Sequence, residues 1–156
     1  MVDTKKVIRR ELTYTTLEEV IADAERLTAA NANTTGNWSL GQILEHLAMV
    51  MEKSIDGFDV KPPLPVRLVG RWFLKNRFLK HGMPAGFQLK GPIAKELLPA
   101  ELDPQPALEH LRRAAQRLQT ETDRAPHPFF GKLNQTDSNR MNCRHAELHM
   151  SFIQEA

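Results

Sequence analysis

Apolar residues recur at helical spacing in several stretches, and polar, proline- or glycine-rich segments separate them. Thr16-Leu17-Glu18-Glu19 has the form of a capping box, with Thr16 as N-cap and Glu19 at N3. It predicts a first helix to about Asn31, with Leu17, Val20, Ile21, Ala24 and Leu27 on its inner face. Asn31 to Asn37 reads as a polar loop. Ser39-Leu40-Gly41-Gln42 is a second capping box, with Trp38 and Ile43 at the two positions of a hydrophobic staple. The helix it opens carries Leu40, Ile43, Leu44, Leu47, Met51 and Phe58 on one face.

After the proline-rich break Lys61 to Pro65, Val66 to His81 predicts a third helix, with Leu68, Val69, Trp72, Phe73 and Leu79 inward. Leu74 and Phe78 spread its apolar surface further round. Gly82 to Gln105 reads as a long irregular connection, uncommon unless it lines a site. Asp103-Pro104 supplies N-cap and N1 of a helix to about Thr122, with Leu108, Leu111, Ala115 and Leu118 inward. Asn134 caps a last helix that is expected to run almost to Ala156. Val7 to Tyr14 has a weak strand pattern.

Length and charge refine this picture. The 156 residues suit a single domain over 1–156. One cysteine allows no intrachain disulfide. The charged start, Met1 to Leu12, has no apolar signal core, and the reading is cytoplasmic. Net charge is +2, but Val60 to Lys95 holds eight basic residues and no acid, which leaves −6 on the rest.

The candidate chemistry is histidine. His145 and His149 stand four apart in the last helix, so their rings share one face. They fall on or beside the stripe of Met141, Leu148 and Phe152, with Arg140, Arg144 and Glu147 expected to face water. Two readings are open from the spacing: core histidines bonded to backbone or buried water, or a pair of metal ligands. Ala146 follows His145, so this is not the zincin motif H-E-x-x-H. His46 lies about 60° from Ile43 on the flank of its stripe, within reach of a neighbouring helix. His110 lies outside its stripe and is expected to be solvated. Cys143 is about 200° from Met141 and is not expected to be a ligand.

Several of these pieces coincide: Asn37-Trp38-Ser39 before His46-Leu47, the run His127-Pro128-Phe129-Phe130-Gly131-Lys132-Leu133, and Arg144-His145-Ala146-Glu147-Leu148-His149. Together they resemble the DinB/YfiT-like superfamily of metal-binding four-helix bundles. More narrowly they are similar to a bacterial branch known only as a domain of unknown function, which the loop Gly82 to Gly86 also resembles. The resemblance implies an all-α four-helix bundle with long irregular connections and a metal near one end. His46, His145 and His149 map onto its ligands. Three neutral imidazoles suit zinc, nickel or iron and leave room for a water, thiol or substrate. The implied activity is that of a metal-dependent hydrolase or a thiol-dependent transferase. The resemblance implies a small-molecule substrate, with a low-molecular-weight thiol among the expected partners. The expected pocket wall includes Met83, His127 and Phe130; His127 reads first as a turn residue before Pro128 and second as a wall acid or base. The chain departs from the family's pattern at Ser138, where a Trp is usual.

A second reading belongs to another class: a metal-free module using segment 60–95 for anionic ligands or a membrane surface. Neither nucleic acid nor membrane is favoured over a helix packed on the body with its charges solvated. Trp72, Phe73, Leu74 and Phe78 exceed what one bundle face needs and predict a homodimer.

Overall fold

The computed structural model describes residues 2–84, 86–87 and 89–155 and is mostly helical. Its elements in order are α1 (Leu17–Ala29), β1 (Asn33–Thr34), α2 (Leu40–Asp56), α3 (Leu64–Val69), a π-helical turn (Gly70–Leu74), α4 (Lys75–His81), α5 (Pro92–Glu96), α6 (Pro104–Thr120), α7 (Gln135–Met150) and β2 (Ile153–Gln154). Helix α2 packs along α6 and also meets α7, while α1 meets α6 and α7. Leu27, Leu44, Leu47, Leu111, Leu118 and Met150 are fully buried where these four helices meet. A smaller apolar cluster, with Phe78, Phe130, Leu133 and Met141, lies where α4 meets α7.

Both capping boxes form as the sequence predicts. Thr16 and Ser39 each accept the N3 amide, and Glu19 and Gln42 each reach back to the cap. Asn134 accepts the amide of Asp137, but Asp103 makes no side-chain cap bond. Helix α1 ends at Ala29, and Asn31 just beyond it takes a left-handed conformation with φ 49°. Gly57, at φ 100°, closes α2 at Asp56, so Phe58 leaves the helical face assigned to it.

The chain ends differ from expectation. Val7 to Tyr14 runs alongside the C-terminal segment without forming a strand ladder; Arg10 N–H donates to the Ser151 carbonyl. Within the expected loop 31–37, β1 pairs antiparallel with β2, Asn33 opposite Gln154. Helix α7 therefore stops at Met150 rather than continuing towards Ala156, which lies outside the described residues. Arg9 clamps this end, donating to Ser151 Oγ and the Leu148 carbonyl while its guanidinium lies over the Phe152 ring.

Segment 64–81 follows the sequence pattern at Leu79 and departs from it at Leu68, Val69, Trp72 and Phe73. Trp72 and Phe73 are 73% and 74% exposed, and Leu68 and Val69 are also largely exposed, although Val69 borders the cavity that α7 lines. Phe78 and Leu79 are buried, and Leu74 packs partly against the smaller cluster. Helix α3 buries none of its residues and the π turn buries only Gly70, so the apolar side chains from Leu64 to Phe73 find no closed packing face, and burial begins only at α4. Connection 82–105 is not wholly irregular, because α5 lies within it and buries Ile93. Of the Gly82 to Gly86 loop, Ala85 lies outside the described residues.

Gly41 shows how closely two of these segments approach. A Cβ placed there would lie 1.8 Å from the Leu102 carbonyl oxygen and 2.8 Å from its carbon, just before α6 begins. A backbone neighbour cannot rotate away as a side-chain tip can. Gly41→Ala is expected to cost about 3 kcal/mol or more of stability, at the upper end for overpacked sites. A denaturant midpoint unchanged from the parent would show that the two segments separate freely.

Candidate metal centre

Helix α2 presents His46, which is buried, towards α7, and α7 presents His145 and His149 one turn apart towards α2. The ligand atoms of all three lie within 4.8 Å of one another. His145 Nε2 is 3.2 Å from His46 Nε2 and 3.0 Å from His149 Nε2. A ring nitrogen carries either one in-plane proton or one lone pair. His145 Nε2 therefore cannot make a full hydrogen bond to both neighbours. A shared cation suits the arrangement better, since ligands at ~2.0–2.1 Å from a tetrahedral ion stand about 3.3 Å apart.

The tautomer of His46 is fixed by its surroundings. Its Nδ1 is 2.8 Å from the Leu97 carbonyl, which can only accept, so Nδ1 carries the proton. Nε2 then offers its lone pair to the cluster, the arrangement that outer partners impose on metal-binding histidines. Leu97 follows α5, so the connection predicted to line a site does so with a backbone oxygen. Glu96 holds that segment against the end of α2: its carboxylate accepts the amides of Asp59 and Val60 and lies 2.9 Å from Lys53 Nζ. Trp38 stacks on His149, with ring centroids 5.4 Å apart, and lies 4.8 Å from the His46 ring.

Burial keeps these rings neutral. Loss of solvent pushes His46 down to about 4, against the lesser pull of the Leu97 carbonyl. His145 and His149 are lowered well below the ordinary histidine value, first by burial and then by the repulsion of neighbouring rings. Neutral imidazole is the form that binds a metal.

Helix α7 is buried on two sides, which its sequence did not reveal. Cys143, Ala146 and Met150 meet the main core, while Met141, Leu148 and the histidines line a cavity of about 730 Å³. Cys143 accordingly stands outside the histidine cluster, as expected, though buried; burial pushes its thiol up to about 11. Arg140 is exposed, but Arg144 and Glu147 are not the solvated pair the stripe predicts. They form a mostly buried ion pair at 2.5 Å, and Glu147 also accepts the Tyr14 amide at 2.7 Å. That pairing fixes the N-terminal arm to α7. His110 is likewise not free in solvent; its ring nitrogens lie 2.8 and 3.2 Å from carboxylate oxygens of Glu45 and Glu52.

Met83, His127 and Phe130 all line the cavity. His127 closes a tight turn, exchanging backbone hydrogen bonds with Gly131, whose φ of 72° favours glycine. Its Nδ1 accepts the amides of Phe129 and Phe130, and its ring stacks on Phe130 at 4.3 Å. This residue thus closes the turn and also borders the cavity. In the neutral ring the proton sits on Nε2, which makes no hydrogen bond among the described residues. Burial lowers His127 to about 3.

Ser138 is buried and borders the same cavity, and its carbonyl accepts from Asn142 Nδ2. Ser138→Trp would set an indole against the cavity and Leu133 and is expected to stabilise the fold by well under about 1 kcal/mol. A lower melting temperature would show that this wall has no room for the ring. Sequence reasoning missed Trp38 as a site residue, although it stands in one of the singled-out motifs; nothing in the sequence marks the Leu97 carbonyl.

No helix among the described residues is long and apolar enough to cross a membrane. Neither the curated proteins nor the solved structures include a match to the chain. One family model does match, over residues 6–156, and the chain therefore belongs to the family described as "Protein of unknown function (DUF1569)".

Proposed function

We propose that this protein is a divalent-metal-dependent enzyme of DinB type, with His46, His145 and His149 as ligands and a small molecule as substrate. The convergence of three Nε2 atoms from two helices on one point carries the reading. Within it, the four helices α1, α2, α6 and α7 form the metal-binding bundle. No carboxylate or thiol joins the group among the described residues, which is the donor set of a catalytic rather than a closed structural site. Zinc, nickel or ferrous iron would suit these nitrogens, and such an ion lowers the pKa of a water or thiol and polarises a carbonyl. Hydrolysis and thiol-dependent transfer both use that chemistry. The chain itself contributes the oriented His46 ring, the Trp38 face and a proton donor at His127 Nε2.

Metal content of protein purified without a histidine tag tests this. About one divalent ion per chain is expected, and none after zinc, nickel or ferrous loading would end the proposal.

The outward Trp72 and Phe73 favour a second copy of the chain on α3 and the π turn. A monomer mass by light scattering at tens of micromolar, about the range of weak dimers, would count against this. The same residues beside Arg67 and Arg71 support the alternative of a metal-free module for anionic ligands. That reading requires binding that falls steeply with salt and survives loss of the histidines.

A further inference from the structure

The cavity beside the histidines has an unusual lining. No Asp, Glu, Lys or Arg borders it among the described residues, although 26% of the chain is charged. Its polar groups are neutral: the four histidines, Asn37, Asn142, Thr4, Ser54 and Ser138. Asn142 and Ser54 are bonded to one another. A ligand carboxylate or ammonium group placed away from the histidines would lose its water and meet no counter-charge, a costly exchange.

The cavity is also long. It follows α2 from Ile43 to Ser54 and α7 from Ser138 to His149, eleven residues of each, or about 16 Å at 1.5 Å per residue. His46, His145 and His149 sit towards one end, whereas His127 lies 6.0 Å from Phe58, ring centre to ring centre, and offers only a neutral ring there. From His46 to Ser54 leaves about 12 Å of wall, and Phe78, Phe130, Leu133 and Met141 give that part an apolar surface.

We propose that the cavity takes an elongated apolar molecule with a single polar head group at the three histidines and an uncharged chain running towards Phe58. The inference rests on the metal reading for its head group alone. It sets aside thiols that carry several charges, such as tripeptide thiols, as occupants. A head group with one negative charge is compensated by the ion, whereas a charge at the far end is not.

Matched hydroxamates test it by calorimetry on zinc-loaded protein. Octanohydroxamate is expected to bind at least tenfold more tightly than acetohydroxamate, which lacks the chain. It should also bind at least tenfold more tightly than the monohydroxamate of suberic acid, which differs in ending with a carboxylate. Equal affinity for the carboxylated analogue, or glutathione binding as tightly as octanohydroxamate, would overturn the proposal. Phe58→Glu should weaken octanohydroxamate at least tenfold with zinc stoichiometry unchanged, while Phe58→Leu should not; unaltered binding by the Glu variant would also overturn it. The chain site is measured separately on metal-free protein, using the uncharged fluorophore N-phenyl-1-naphthylamine. Its displacement by 1-octanol is expected whether or not zinc binds. Zinc binding without displacement refutes the apolar chain site alone, and displacement without zinc binding refutes the metal reading alone.

Discussion

Replacing any one of His46, His145 and His149 by Ala is expected to strip the purified protein of its divalent metal, with affinity lowered more than about 100-fold. Losing a residue that merely orients a ligand costs 10–100-fold, and losing a ligand costs more. His46 is the most informative of the three, because it lies on α2, 99 residues before His145. Its loss cannot be mistaken for local damage to α7. His81→Ala and His110→Ala are the controls. His81 is exposed, and His110 faces Glu45 and Glu52 rather than the cavity. Full stoichiometric metal in His46→Ala would mean that the three nitrogens do not share an ion. From the ordinary histidine pKa, occupancy would be expected to fall below about pH 6. The burial that lowers His46 to about 4 moves proton competition down, so binding measured between pH 6 and 5 should hold.

How far the sequence reaches can be judged from particular residues. The caps at Thr16, Ser39 and Asn134 were legible because each is a local hydrogen-bond pattern written in adjacent residues. The His46 flank position and the His145/His149 spacing were legible because a helix converts spacing into direction. Segment 64–81 departs from its pattern because periodicity shows only that a face is apolar, not that anything covers it, and α3 buries none of its residues. Helix α7 was misread because burial on two faces leaves no single stripe: Cys143, Ala146 and Met150 serve the core, while Met141 and Leu148 serve the cavity. Arg144 and Glu147 looked solvated because the groups that cover them, the Leu79 carbonyl and the Tyr14 amide, are remote in sequence. The Leu97 carbonyl could not be foreseen at all, since every residue has one.

Acid should begin to destabilise the metal-free protein below about pH 6.5, before its carboxylates start to titrate. All four cavity histidines are lowered by burial and act in the same direction, with a folded pKa of about 4 for His46 and about 3 for His127. His46 and His127 are both depressed from 6.5, chiefly by burial, so between these values and 6.5 the unfolded chain binds more protons than the folded one. Stability then rises with pH. The contribution is fully present above the unfolded value near 6.5 and is lost as pH falls towards 4 and then 3. At 1.36 kcal/mol per unit, the buried His46 alone accounts for on the order of 3 kcal/mol, and the partly exposed His127 adds to it in the same direction. Denaturant midpoints measured with a chelator present should therefore drop steeply between pH 6.5 and 4. His127→Asn should flatten the slope by about one proton, because it removes a group the unfolded state protonates and the folded state does not. The same slope in that variant would show that His127 reaches solvent freely, and its proposed place in the cavity wall would fall with it.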